Sequence, residues 1–479
     1  MINSFYFVLA YIVILFLLSA FLIRKALHSF EEYGYCGRSL SIGFVLFTYL
    51  GTWIGGGTII GLVSRSYDFG ASQYWIIAMS CVAELFFALF FIGRIRNLGL
   101  KSITDFFALR YPEHGQAVRI PAVGALLIRN VTMIAMQFAA LSYLITFVFG
   151  INRNLALLLV FLVIISYTVL SGLWGVAVTD IFQGLLQTAG LIMLVVISLK
   201  FAGGMKAVTS FYDAQGHLEN LNLFATDMHW YEILLYIIAF GLFFLMNDQA
   251  NWERIYASKG NKTAKWGFMI PLVVTMIMLV MITYLGVFQR AIFNGTAESS
   301  SIIYNFIFNL ADSKWMIPIL VALIAAIMSS ADSFLLASGV MISEDLIKRF
   351  IIRDAGDQEM IFFARVFVVV TGSIAFAFAI NIEDILYLWL TGIGMTSVIL
   401  VPGYFLGWFS KRASASGVLA GMAVGAVCVL AMALGFVRAG PLQVCTAMAL
   451  NFLISFTFAR HKGPISLAKG DAGPVLQEK

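Results

Sequence analysis

Apolar runs of about 20 residues recur along this chain from one end to the other, and no other feature constrains its fold as strongly. A helix needs about 20 such residues to cross the hydrocarbon core of a bilayer. Only structures that pair their own backbone groups can do so. Thirteen spans are predicted, at 4–24, 42–66, 72–93, 120–149, 155–172, 178–202, 231–250, 266–289, 314–343, 362–381, 385–409, 416–437 and 441–459. Hydrophobic residues make up 61% of the chain and charged residues 11%, against about 25% charged in soluble domains. The chain reads as an all-α polytopic membrane protein whose partner is the lipid bilayer.

The loops predict an orientation. One set of segment ends and loops holds 22 of the 30 basic residues, from Arg24 and Lys25 through Arg254 and Lys259 to the C-terminal tail. The positive-inside rule then puts the N-terminus outside and the C-terminus in the cytoplasm, and thirteen crossings fit. A plasma membrane is expected, the inner membrane if the source is bacterial. The first apolar stretch is too long for a cleaved signal and lacks a small-residue cleavage pattern. The basic residues are scattered over short loops, which argues against nucleic acid as a partner. Cys36, Cys81, Cys428 and Cys445 show no CxxC spacing, so neither a disulfide framework nor a zinc site is expected. No GxxxxGK[ST] is present for an ATP-driven pump. No His, Ser and Cys constellation inside the segments suggests an enzyme, and no obligatory protein partner is evident.

GTWIGGGT (residues 51–58) interrupts the second segment. Each helical glycine costs about 1 kcal/mol relative to alanine, and three come in succession. One reading is close packing, since Gly51 and Gly55, then Gly57 and Gly61, form small-xxx-small pairs. The other is a broken helix, whose freed carbonyls can bind a cation at membrane depth. IAAIMSSADSFLLAS (residues 324–338) in the ninth segment offers a matching face. Ala326, Ser329, Ser330 and Ser333 recur at i, i+3, i+4 and i+7, and their hydroxyls are hard ligands suited to Na⁺. Asp332 stands beside them, and an ionisable residue in a membrane helix is by default a functional candidate. Asp180 reads either as an N-terminal acid favoured by the helix dipole or as a functional carboxylate. Asp248 reads either as an exit-loop residue or as part of the site. Glu84 and Arg129 are expected to pair.

At these residues the chain resembles the sodium:solute symporter family. CGRSLS (36–41), GTWIGGGTIIG (51–61), GLWGVAVTD (172–180) and AAIMSSADS (325–333) carry the resemblance, which covers nearly the whole chain. It implies two inverted five-helix repeats, segments 2–6 and 7–11, with the first helix of each broken. The chain then divides into 1–41 (first helix and cytoplasmic loop), 42–202 (first repeat), 203–230 (extracellular loop), 231–409 (second repeat), 410–460 (two further helices) and 461–479 (tail). By position, the family's main Na⁺ site would use the carbonyls of Gly51, Ile54 and Ala326 and the hydroxyls of Ser329 and Ser330. A second Na⁺ site, found in some members, would use Asp180, Ser329, Asp332 and Ser333.

The resemblance also implies a function: Na⁺-coupled import of a small polar organic solute by alternating access. The solute would lie beside the break, among Thr52, Trp53, Thr58, Gln137, Phe244, Asn247, Gln249, Tyr387, Trp389 and Thr391. WIGGG looks most like the choline-transporting branch, where aromatic rings hold a quaternary ammonium by cation–π attraction of about 2 kcal/mol or more per desolvated face. Amino-acid and sugar-type substrates share the same framework. Two other readings stay open: a transporter-like sensor, and proton coupling through Asp180 or Asp332.

Overall fold

The computed structural model describes residues 2–458 apart from 112–113, 226–228, 242–247, 311–313, 382–384 and 411. Of residues 2–3, 115 and 385–391 only the backbone is described. The described residues are mostly helical, and among them nine helices are long and apolar enough to cross a membrane. A bent pair, α2 (Ile42–Trp53) and α3 (Gly56–Phe69), makes a tenth span with 50° between its halves.

α1 (Ile2–Ala26) precedes that pair, and α4 (Tyr74–Phe90), the short α5 (Ile103–Arg110) and α6 (Gly115–Phe149) follow it. The fifth and sixth expected segments form one 49-residue helix, α7 (Arg153–Phe201). At 1.5 Å per residue α7 is about 74 Å long, more than twice the apolar thickness of a bilayer. Helical geometry fails inside it only at Gly172, whose φ of 54° and ψ of −149° make it the joint between two crossings. A Cβ there would collide with the Tyr33 carbonyl, so glycine meets both requirements at once.

In the second half, α8 (Trp230–Gly241) is followed by α9 (Gln249–Ala257). α9 starts afresh, because the Asp248 carboxylate accepts from Asn251 N at 3.2 Å as an N-cap. A helix start thus falls within the seventh predicted segment, although the residues before it lie outside those described. α10 (Asn261–Ile292), α11 (Met316–Ile342), α12 (Asp357–Ala379), α13 (Ile385–Phe409), α14 (Ala415–Ala433) and α15 (Pro441–Thr457) complete the chain.

Burial separates the spans into classes. In the most apolar stretch of α11, continued to Ile351, 94% of residues are buried, against 22% for α1. A helix apolar all round and buried all round is the centre of a bundle. α11 packs most heavily on α7 and also against α6, α12 and the broken pair. The serine face of α11 therefore lies where several helices meet, which is where a bound ion can be surrounded.

Candidate ion and substrate site

The break between α2 and α3 takes two residues. Ile54 ends α2 at φ −95°, ψ 71°, and Gly55 precedes α3 at φ −105°, ψ −169°. Neither angle pair needs glycine. The glycines are needed for space. A Cβ on Gly55 would strike Ser330 Oγ and lie 2.9 Å from Gln137 Nε2, and one on Gly56 would lie 2.7 Å from Ala140 Cβ. Gln137 Oε1 accepts from Gly56 N at 2.7 Å, satisfying one of the amides left open at the start of α3. The two readings of GTWIGGGT are therefore one: the helix is broken, and its glycines admit the groups packed into the break.

Four of the five residues assigned to the main ion site meet there through hydrogen bonds. Ser329 Oγ donates toward Gly51 O and Ala326 O, each at 3.1 Å. Ser330 Oγ lies 2.8 Å from Gly51 O, 3.2 Å from Thr52 O and 3.4 Å from Ala326 O. Ile54, the fifth, sits at the break itself. These residues are buried, so carbonyl and hydroxyl oxygens from α2 and α11 share one dry site.

The second set is built differently. Asp180 lies in the interior of α7 and not at a helix N-terminus, which rules out the capping reading. Its Oδ2 accepts from Thr48 Oγ1. Asp332 Oδ2 accepts from Tyr167 at 2.8 Å. The Ser333 hydroxyl accepts from the Arg254 guanidinium at 2.7 Å, and Arg254 also donates to Thr52 Oγ1 at 2.9 Å and Thr48 Oγ1 at 3.0 Å. Sequence reasoning missed Thr48, Tyr167 and Arg254. Thr48 had a signal, standing one turn before Thr52 on the same face of α2. Arg254 had a misleading one, since it reads as one more basic residue at a segment end. It is in fact 1% exposed.

The residues expected around the solute are only partly gathered. Thr52, Trp53, Thr58 and Gln137 line a cavity of about 20 Å³ with Met133, Met136 and Phe334. That volume is on the order of a single water molecule. Trp53 Nε1 donates to Tyr49 Oη at 2.7 Å and reaches Glu84 Oε2 at 3.3 Å, and Tyr49 Oη bonds Glu84 in turn. Thr58 Oγ1 donates to Trp53 O at 2.8 Å. Gln249 turns elsewhere, accepting from Ile103 N at 3.1 Å and donating toward Lys101 O at 3.3 Å. Phe244 and Asn247 lie outside the described residues, as do the side chains of Tyr387, Trp389 and Thr391.

The expected Glu84–Arg129 pair is corrected. Arg129 pairs with Asp248 at 2.9 Å, both fully buried, while Glu84 serves Tyr49 and Trp53. Asp248 is accordingly no exit-loop residue, being the cap of α9 and a buried partner of α6. The misreading came from sequence distance: Glu84 and Arg129 sit on neighbouring segments, and nothing in the sequence shows that α9 starts beneath α6.

The two ends of the bundle differ. At one, a cavity of about 890 Å³ is lined by Arg65, Asp68, Gln73, His217, Tyr231 and Arg290, among others. At the other, Arg119 bonds Asp345 and lies 2.9 Å from Asp105, and Lys101 lies 3.1 Å from Glu31 and 4.0 Å from Glu344. Burial alone would lower the Lys101 pKa, but Glu344 and Glu31 outweigh it and raise it.

A broken membrane helix clasped by a hydroxyl-bearing helix at the bundle centre defines a secondary-transporter architecture. The profile of the sodium:solute symporter family matches residues 33–425, and the chain belongs to that family. It is 25% identical over 415 residues to the high-affinity choline transporter 1 of Caenorhabditis elegans, covering 83% of this chain and 70% of that protein. It is likewise 25% identical over 434 residues to the sodium/proline symporter of Salmonella typhimurium, covering 86% and 84%. A substrate-bound, outward-open Na⁺-coupled sialic acid symporter superposes with a TM-score of 0.81 at 17% identity, over 96% of this chain and 99% of that one. These relatives are transporters and not enzymes, and sodium-coupled symport of a small solute is the activity their kinship supports.

Proposed function

We propose that this chain imports a quaternary-ammonium solute of the choline type, driven by Na⁺ bound at the break between α2 and α3. One observation carries the reading. The hydroxyls of Ser329 and Ser330 each lie 2.8–3.4 Å from the carbonyl oxygens of both Gly51 and Ala326, so four oxygens from two helices converge. A small hard cation would take the carbonyl oxygens, with the two hydroxyl protons turned away. Held by both helices, the ion would fix the break against α11 and complete the neighbouring pocket. Linkage then requires solute to tighten Na⁺ binding by the same factor that Na⁺ tightens solute binding.

The solute class rests on the described lining, in which Trp53, Phe334, Met133 and Met136 stand beside two threonines and a glutamine. A quaternary ammonium has no proton to donate and is held by aromatic faces and polarizable sulfur. Glu84, hydrogen-bonded to Trp53 Nε1, fixes that ring from behind. The choline-transporter relatives agree with this class, and the sodium/proline symporter makes proline its competitor. The cavity must enlarge to accept either, as alternating access demands.

Following the positive-inside rule, the Arg119 end faces the cytoplasm, the large cavity is the outer vestibule, the N-terminus is outside and the C-terminus inside. A plasma membrane is the corresponding location. The test is uptake of labelled choline and of labelled proline into proteoliposomes, with and without an inward Na⁺ gradient. Choline accumulation that requires the gradient is expected. Accumulation of proline alone overturns the solute class. Uptake that follows a proton gradient and ignores Na⁺ turns the reading to Asp180 and Asp332 as proton carriers. Binding without accumulation marks a sensor.

A further inference from the structure

Behind α11, on the side away from the break, α1, α6 and α7 enclose a cavity of about 510 Å³. We infer that it is a binding groove for an acyl chain of an outer-leaflet phospholipid, and that this chain braces α11 behind the sodium site. The bracing rests on the Na⁺ reading of the break; the groove itself does not.

The chemistry of the groove is uniform. Its walls come from stretches 5–12 of α1, 141–149 of α6 and 155–164 of α7, and its floor includes Ile324 and Met328 of α11. Every lining side chain is a hydrocarbon or the thioether of Met328. Such a surface gives water and polar solutes no hydrogen bond. Phe5, Leu9, Leu155 and Leu159 form an exposed rim. The groove is therefore continuous with the bilayer-facing surface of α1 and α7.

Its dimensions match one leaflet. From Leu155 to Ile164 is nine helical steps, about 14 Å, against about 15 Å of hydrocarbon in half a bilayer. It begins where α6 ends and α7 starts, at a turn bearing Asn152, Arg153 and Asn154, the residues expected at headgroup level. A hydrocarbon chain about 4 Å across takes about 180 Å³ over that length, so the groove holds one chain, or at most two. A helix about 10 Å across takes about 1,100 Å³ over the same length, which excludes a helix of a second copy.

The groove reaches the ion site through a single helix. At about 100° per residue, Ile324 and Met328 each lie about 160° round α11 from Ala326, on the face opposite the oxygens that meet α2. Side chains beside a gap lose their contacts on that side, and α11 can then yield away from the break. An acyl chain in the groove restores those contacts and holds the serines against Gly51. Lipid thereby tightens Na⁺ binding, and Na⁺ tightens lipid binding by the same factor.

Two measurements on the purified full-length chain test this. The first uses bilayers of phosphatidylethanolamine with a diazirine at the acyl terminus, chosen so that no choline headgroup reaches the solute site. Cross-links are expected at Ile324, Met328 or Ile164, which are 2%, 1% and 0% exposed and out of reach of lipid that merely surrounds the protein. Exposed Phe21 and Val196 report ordinary lipid contact, and cross-links confined to such residues overturn the groove. The second measures ²²Na⁺ affinity in CHAPS, whose rigid steroid body has no straight chain. Affinity is expected to rise about fivefold or more with dipalmitoyl phosphatidylethanolamine and to ignore glycerophosphoethanolamine, the same headgroup without chains. Val163 and Ile145 are half-buried lining residues, and Val163→Trp or Ile145→Trp fills the groove. Either variant is expected to lose the Met328 cross-link and the lipid response. A wild-type affinity indifferent to lipid, or a folded Trp variant that keeps the full response, overturns the bracing. If neither variant folds, the two wild-type measurements decide. No Na⁺ binding under any condition removes the ion reading of the break, and the cross-links still decide the groove.

Discussion

The break at residues 53–56 and the charged cluster around Arg119 are both polar and both buried, yet they are built from opposite chemistry. At the break, neutral carbonyls and hydroxyls from α2 and α11 do the contacting. At the Arg119 end, full charges from α5, α6 and the segment after α11 pair directly. Neutral oxygens bond weakly to one another, about 1 kcal/mol net per hydrogen bond, and strongly to a cation that arrives. Paired charges already hold their counter-ions, and removing one partner strands the other. The first region suits a contact made and unmade with each ion. The second suits a latch that holds one end of the bundle closed.

The largest effect is therefore expected at the latch. Arg119→Gln leaves Asp105 and Asp345 without their partner and should lose about 3–5 kcal/mol of stability, read by thermal unfolding in lipid. Labelling of a cysteine placed at the Arg119 end should rise with it. Unchanged labelling would mean that the cluster only braces the fold.

Next comes the break. Ser329→Ala or Ser330→Ala removes a buried oxygen and should weaken Na⁺ about 5- to 150-fold, corresponding to about 1–3 kcal/mol, with little change in stability in K⁺. Ser329→Ala is expected to be the more damaging, because the free Asp180 oxygen and Ser329 flank the same point beside Gly51. A wild-type Na⁺ dependence in both variants would separate the break from ion binding.

A smaller effect distinguishes space from helix propensity. Gly56→Ala should impair transport because its Cβ would sit 2.7 Å from that of Ala140. Ala140→Gly in the same chain should then restore much of the uptake. If the double variant stays inactive, helix propensity at the break matters more than the space beside it. The smallest change is expected from Glu84→Gln, which keeps an acceptor for Tyr49 and Trp53. It should alter solute affinity by less than about tenfold, equivalent to 1.4 kcal/mol, whereas Glu84→Ala should do more.

Much of this was legible in the sequence, for a physical reason. Membrane spans announce themselves through composition, and the serine spacing of α11 is a local periodicity that any helix must honour. The break was legible because glycines in succession are costly in a helix. Long-range polar pairing was not. Arg129 and Asp248, Asp180 and Thr48, or Arg254 and Ser333 meet only after α6, α7, α9 and α11 have packed, and no spacing encodes that. Arg254 shows the limit most clearly: its side chain crosses from a helix that reads as a loop into the centre of the site. The role of the glycines at 55 and 56 was half legible, since the sequence posed packing against breaking and the structure needs both.

One measurement bears on the ion at the break more directly than any other: the melting temperature of the purified chain in equal NaCl and KCl, for the wild type and for Ser329→Ala/Ser330→Ala. A ligand that binds only the folded state stabilises it by about 2.7 kcal/mol at a hundred times its Kd. The wild type is expected to melt several degrees higher in Na⁺ than in K⁺, and the double variant to melt alike in both. Equal melting of the wild type in the two salts, or a Na⁺ shift that survives in the double variant, would contradict an ion site between Gly51 and the serines of α11.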